Sequence, residues 1–239
     1  MSFQSVPRER PLCYYSLMRL EARGLIKHFP PPPLSGGATV HALAGIDLVA
    51  GPGVTGVEGH NGSGKTTLFK VLAGIIETDG GSILAGGEPA VPRRLRELAA
   101  YCPPNPRSFY FRLTAAENLR FFGALAGLDA EPALARAAAL AEKLGLSGAD
   151  LQRRFDRLSE GNMQKVSLIR SLSRRSRLLL LDEPFRGLDA AAVQGLLGLI
   201  AEAGRNSVVL LSSHSPGLLR EAAARTVRLE NGRLAGGAP

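Results

Sequence analysis

The residues with the clearest capacity for chemistry are Gly59-His-Asn-Gly-Ser-Gly-Lys-Thr-Thr67. Gly59 and Gly64 bracket four residues, and Lys65 and Thr66 follow. A turn this rich in glycine lets successive backbone N–H groups point at the closely spaced charges of a polyphosphate. A helix that begins where the turn ends adds the positive end of its dipole. Lys65 then supplies a charge for β- and γ-phosphates, and the Thr66 hydroxyl is a candidate Mg²⁺ ligand. Asn61, Gly62, Ser63 and Thr67 complete the phosphate-binding candidates. A glycine-rich turn that matches by chance is the plain alternative. The flanks argue against it: residues 54–57 are apolar and read as strand, and residues 67–73 read as helix.

A second stretch, Leu178-Leu-Leu-Leu-Asp-Glu-Pro184, is an apolar strand that ends in two acids. A buried parallel strand delivers such groups to the carboxyl edge of its sheet, where ligands bind. There Asp182 could hold Mg²⁺ directly or through water. Glu183 could orient and deprotonate an attacking water. A third stretch, Leu158-Ser-Glu-Gly-Asn162, precedes a helix expected over 163–173. Ser159 and Gly161 would place a hydroxyl and bare N–H groups at its start. That is either an ordinary N-cap or a further anion site.

The elements that must position these groups follow from pattern. Met18 to Phe29 alternates like a strand, and residues 40–49 read as a second strand leading to the Gly51-Pro-Gly53 turn. Gly80 to Leu84 reads as a turn and short strand. Residues 112–158 are rich in Ala, Leu, Glu and Arg at helical spacing. Strands return at 178–181 and 208–212. Asn231-Gly232 inside 227–234 marks a hairpin with a type I′ turn. Together these predict an α/β protein whose parallel core is interrupted by helices. Residues 1–17 show no period and read as a loose extension.

Composition bounds the function. The chain has 239 residues, a net charge of +8 and a pI near 10.1, with 24 arginines against five lysines. The basic residues are scattered, so the charge fits an arginine-biased composition better than a nucleic-acid surface. No apolar run approaches the roughly 18 residues needed to span a bilayer. No signal-peptide pattern opens the chain. Cys13 and Cys102 lack metal spacing and suit a reducing cytoplasm.

The order of these motifs, with Gly187-Leu188-Asp189 and His214, resembles the nucleotide-binding subunit of an ABC transporter over residues 18–235. The resemblance implies a P-loop NTPase core with a small β-subdomain and an inserted helical subdomain. The expected division is 1–17, an extension; 18–103, the first part of the core; 104–158, the helical subdomain; and 159–239, the rest of the core. It implies ATP and Mg²⁺ as cofactors and a dimer with a second copy or a homologous subunit. A separate membrane permease is the expected partner, on the cytoplasmic face of the cell membrane. Phe29 matches the aromatic that stacks on adenine. Ser159 and Gly161 would meet the γ-phosphate of ATP on the second copy, with Asp189 at that interface. Glu183, His214 and Lys65 are the expected catalytic residues.

Two departures stand out. Glu160 and Asn162 replace the usual Gly and Gln around Gly161. Pro104 falls where the family places a Mg²⁺-binding Gln that links the site to the permease, so Asn105 or a water is expected to stand in. The stretch 107–119 is similar to exporter-type members. Two other readings remain open from sequence: an ATPase of the same superfamily acting on nucleic acid or ribosomes, and a regulatory module that holds ATP with weak hydrolysis.

Overall fold

The structure, a computed structural model, describes residues 18–32, 36–106 and 108–235. The expected extension over 1–17 lies outside them. Two strands organise the rest. β7 (Leu178–Asp182) and β8 (Val208–Ser212) are buried at every position. Their parallel neighbours are β6 (Ala99–Cys102) and β3 (Gly53–Glu58). β9 (Arg225–Glu230) pairs with β3 in parallel, and β10 (Arg233–Ala235) closes the edge against β9 in antiparallel fashion. The six-stranded order is β10-β9-β3-β8-β7-β6.

Side chains alternate across a strand, so an unbroken apolar run requires cover on both faces. That is the arrangement here. Leu179, Leu181, Val209 and Leu211 face one layer, while Leu178, Leu180, Val208 and Leu210 face the other. Each buried leucine contributes roughly 1.5–3 kcal/mol relative to exposure. The first layer holds α3 (Ala115–Leu125), α4 (Ala130–Lys143), α6 (Glu160–Ser173), α7 (Ala190–Gly204) and α8 (Pro216–Ala222), with the short α5 (Gly148–Leu151) at its margin. The second holds α1 (Lys65–Leu72), α2 (Pro92–Leu98) and a separate antiparallel sheet. That sheet has the order β2-β1-β4-β5 and comprises β1 (Leu20–Phe29), β2 (Val40–Ala50), β4 (Gly80–Ala85) and β5 (Glu88–Pro89).

The predicted α/β core, β-subdomain and helical stretch are all present. The hairpin turn is as read: Asn231 and Gly232 sit at φ of 47° and 74°. One boundary moves. α6 begins at Glu160 rather than 163, because the Ser159 hydroxyl accepts the Asn162 N–H (3.2 Å) and caps the helix one turn earlier. Among the described residues no helix is long and apolar enough to cross a membrane.

Candidate functional site

The site grows from the carboxyl edge of the central strands. β3 ends at Glu58, and residues 59–64 turn into α1. Gly64 permits that turn in two ways. Its φ of 110° disfavours any side chain, and a Cβ there would collide with the Ala42 carbonyl of β2. The loop therefore lies tightly on the antiparallel sheet. Lys65 folds back over it and donates to the carbonyls of Gly59 (2.7 Å) and His60 (3.0 Å). The Ser63 hydroxyl is buried without a partner among the described residues. A buried hydroxyl lacking a partner is costly unless a ligand or water meets it.

β7 and β8 are in register so that Asp182 lies beside Ser212. Asp182 is almost wholly buried, and its oxygens are divided. Oδ1 accepts from Ser212 Oγ (2.7 Å), and Oδ2 accepts from Thr66 Oγ1 (2.7 Å) and from the Tyr101 hydroxyl (3.4 Å). Burial and the Asp182 carboxylate both push the Tyr101 phenol well above its ordinary pKa, so it stays protonated as a donor. Ser212 also holds the next residue along β7, since its oxygen accepts the Glu183 backbone N–H (3.0 Å). Ser212 and Tyr101 are not singled out by the sequence pattern. The only cue for Ser212 is its place at the end of an apolar strand.

Glu183 is held in the left-handed region at φ 53°, an uncommon and strained conformation for a residue with a side chain. Its Oε2 accepts the His214 backbone N–H (3.1 Å). Its Oε1 is buried, lies 3.2 Å from His214 Nε2 and accepts no hydrogen bond among the described residues. Burial raises the Glu183 pKa, and the His214 N–H and the charges of His214 and Lys65 oppose that shift. The outcome is a carboxyl largely withdrawn from water, with Oε1 against the His214 ring.

A second group lies along the start of α6. Ser159 caps it, and a Cβ on Gly161 would strike the carbonyl of Gly187. Gly161 thus lets the helix start pack directly on the loop that follows β7. Asp189 caps α7 through the Ala192 N–H (2.8 Å), and its Oδ2 accepts from Lys165 of α6 (2.8 Å), which lowers its pKa. Phe29 ends β1 opposite Val40, two residues before Ala42, and its ring is 38 % exposed. That places an accessible aromatic near the Gly64 end of the loop. Asn105 is taken up elsewhere: its amide oxygen accepts from Arg186 (3.3 Å). Among the described residues it has no bond to Thr66 or Asp182.

The comparisons with known proteins agree with this geometry. Residues 46–186 match the ABC transporter family. The chain belongs to that family. The ABC cassette is an ATP-binding ATPase unit. The chain is 34 % identical to the ATP-binding protein LolD 2 of a lipoprotein-releasing system from Chlorobaculum tepidum, with 96 % of each covered. It is 36 % identical to the Fe(3+) ions import ATP-binding protein FbpC of Mesorhizobium japonicum, over 77 % of this chain and 49 % of that one. The chain spans half or less of several such relatives, and 42 % of a ribose import ATP-binding protein from Rubrobacter xylanophilus. A solved ATP binding subunit of an ABC transporter superposes with a TM-score of 0.77 at 28 % identity, covering 90 % of this chain and 87 % of that one. A dimeric bacterial ABC transporter cassette superposes with the same TM-score at 18 % identity, covering 90 % and 96 %. That likeness is one of fold.

Proposed function

We propose that this ABC cassette hydrolyses ATP to drive a separate membrane permease, through ATP-dependent pairing of two copies. The observation that carries the reading is Glu183. A strained carboxylate whose buried Oε1 accepts no hydrogen bond among the described residues, and which lies against His214, suits the base for an attacking water. Its raised pKa strengthens its hold on the proton it takes. His214 would touch the γ-phosphate and help place that water.

Around it, each residue has a role. The N–H groups of 59–64, with Asn61 and Thr67 beside them, and the Ser63 hydroxyl would cradle phosphate, Lys65 would turn to the β- and γ-phosphates, and Phe29 would stack on adenine. The Thr66 hydroxyl and Asp182 carboxylate stand 2.7 Å apart as hard oxygen donors, a set that fits Mg²⁺, which keeps waters and phosphates for its other positions. When bound, the ion neutralises charge that builds on the phosphates. Ser159 and Gly161 would receive the γ-phosphate of ATP held by the second copy, and Asp189 would lie at that interface. ATP then stabilises the pair by contacts that ADP lacks, and hydrolysis releases it.

A groove of about 450 Å³ between α3, α4 and α6 is the surface we assign to the permease. Arg96, Arg120, Arg170 and Arg174 line it with Phe122 and Leu125. Arg170 is fixed over the rings of Phe109 (4.4 Å) and Phe122 (4.8 Å). A site at the cytoplasmic face of the membrane follows from such a partner. The reading is tested with Glu183→Gln, which keeps the shape of the side chain but cannot accept the proton. ATP binding should persist while phosphate release stops. Phosphate release at the parent rate would remove Glu183 from its role.

A further inference from the structure

One side chain joins Glu160, at the start of α6, to Asn105, next to Pro104. Arg186, in the turn after β7, sends Nη2 to Glu160 Oε1 (3.2 Å) and Nη1 to Asn105 Oδ1 (3.3 Å). Glu160 lies in the first turn of α6, between Ser159 and Gly161. The N–H groups and dipole at that end attract an anion. The Glu160 carboxylate stands at the same pole and repels one. A phosphate arriving from a second copy would meet this charge before it met Ser159.

Arg186 answers that conflict in charge and in place. Its guanidinium offers one arm to Glu160 and the other to Asn105, so a positive charge stands against the carboxylate. The backbone supports the same register. The residue after Glu160 is Gly161 and the residue after Arg186 is Gly187, and a Cβ on Gly161 would collide with the Gly187 carbonyl oxygen. The ion pair is therefore the side-chain half of a contact whose other half is backbone on backbone. Both side chains are largely exposed, 56 % and 68 %, so the pair stands at the surface beside Ser159 and Gly161.

We propose that Arg186 is a positioning residue for the nucleotide of the second copy: it cancels the Glu160 charge at the start of α6 and so lets Ser159 and Gly161 receive a γ-phosphate. The inference rests on the two-copy reading above. It also accounts for Asn105, which steadies the guanidinium.

The test uses the full chain carrying Glu183→Gln, with two readouts. A fluorescent ATP analogue reports nucleotide bound to each single copy, and light scattering reports the ATP concentration for half-maximal dimer. Adding Arg186→Gln should leave single-copy binding unchanged and raise the dimer midpoint roughly three- to tenfold, the size of a typical coupling between contacting groups. Adding Glu160→Gln alone should leave the midpoint equal or lower. Combining both should restore the parent midpoint, and raising the salt should shrink the Arg186→Gln effect. An Arg186→Gln protein that dimerises like its parent overturns the proposal. So does a double variant that keeps the full defect, since that would mark a merely structural role. A parent that binds the analogue yet never dimerises overturns the two-copy reading, and this proposal with it.

Discussion

The two halves of the candidate site are built differently. Around Asp182 the groups are buried or half-buried and cross-braced: one carboxylate takes Thr66, Ser212 and Tyr101, and Ser212 also holds the backbone of Glu183. Along the start of α6 the polar groups are exposed and held by ion pairs, Arg186 with Glu160 and Lys165 with Asp189. Lys165 is itself buried while Asp189 is 60 % exposed, so even there the fixed member is inside and the offered one outside. The difference teaches a division of labour. On the proposed reading, the buried strand edge would hold one nucleotide within the chain, and the exposed helix start would be completed by a second copy.

If that division holds, damage to the buried half should cost chemistry, and damage to the exposed half should cost association. The largest effect is expected for Glu183→Gln: turnover should fall about 10²- to 10⁴-fold, as loss of a general base does, measured as phosphate release under saturating ATP. Lys65→Ala comes next. Loss of a charge-assisted bond should weaken ATP binding to the single copy roughly ten- to hundredfold, read by titration. Equal affinity would remove the phosphate loop from the account.

Stability effects follow. Ser212→Ala leaves the Asp182 Oδ1 and the Glu183 N–H without their partner, so melting should report a loss of about 1–3 kcal/mol together with lowered turnover. Gly161→Ala forces a methyl onto the Gly187 carbonyl. It should destabilise by about 1–3 kcal/mol and weaken dimer formation while sparing single-copy binding. An unchanged dimer midpoint would blur the division.

The pH dependence has a definite sign. In the proposed role Glu183 would have to be ionised, and burial raises its pKa, so activity should fall on acidification at a pH above the ordinary glutamate range. The contribution of this group to folding runs the other way. It is full at acid pH and is lost as pH rises from the ordinary glutamate range through the raised value. Asp189 behaves oppositely, since Lys165 lowers its pKa: its contribution is present at neutral pH and fades only below the ordinary aspartate range. The smallest effect concerns the 103–106 segment. Pro104→Gln should raise apparent Mg²⁺ affinity a few-fold at most, about 1 kcal/mol. Asn105→Ala should leave it unchanged, because that amide is engaged by Arg186. A loss of Mg²⁺ affinity in Asn105→Ala would return Asn105 to the metal.

Much of this is legible in the chain itself. The central strands announce themselves because a doubly covered sheet demands unbroken apolar runs, and Leu178–Leu181 has no other use. Residues 59–67 carry their geometry in their glycines. What stays hidden depends on register between distant strands. Ser212 becomes a partner of Asp182 only because β8 lies beside β7 in parallel, and Tyr101 only because β6 lies on its other side. The true start of α6 at Glu160 is masked because Glu, Gly and Asn interrupt the apolar period, and the Ser159 cap overrides it. Arg186 lies in a turn without periodicity, and only the fold brings Glu160 and Asn105 to it.

The central claim is that ATP completes the exposed half through a second copy. Light scattering of the Glu183→Gln protein with Mg²⁺ tests it most directly. The account predicts a mass near 25.2 kDa with ADP and twice that with ATP. A protein that binds ATP and stays at the single-chain mass at every concentration would contradict it.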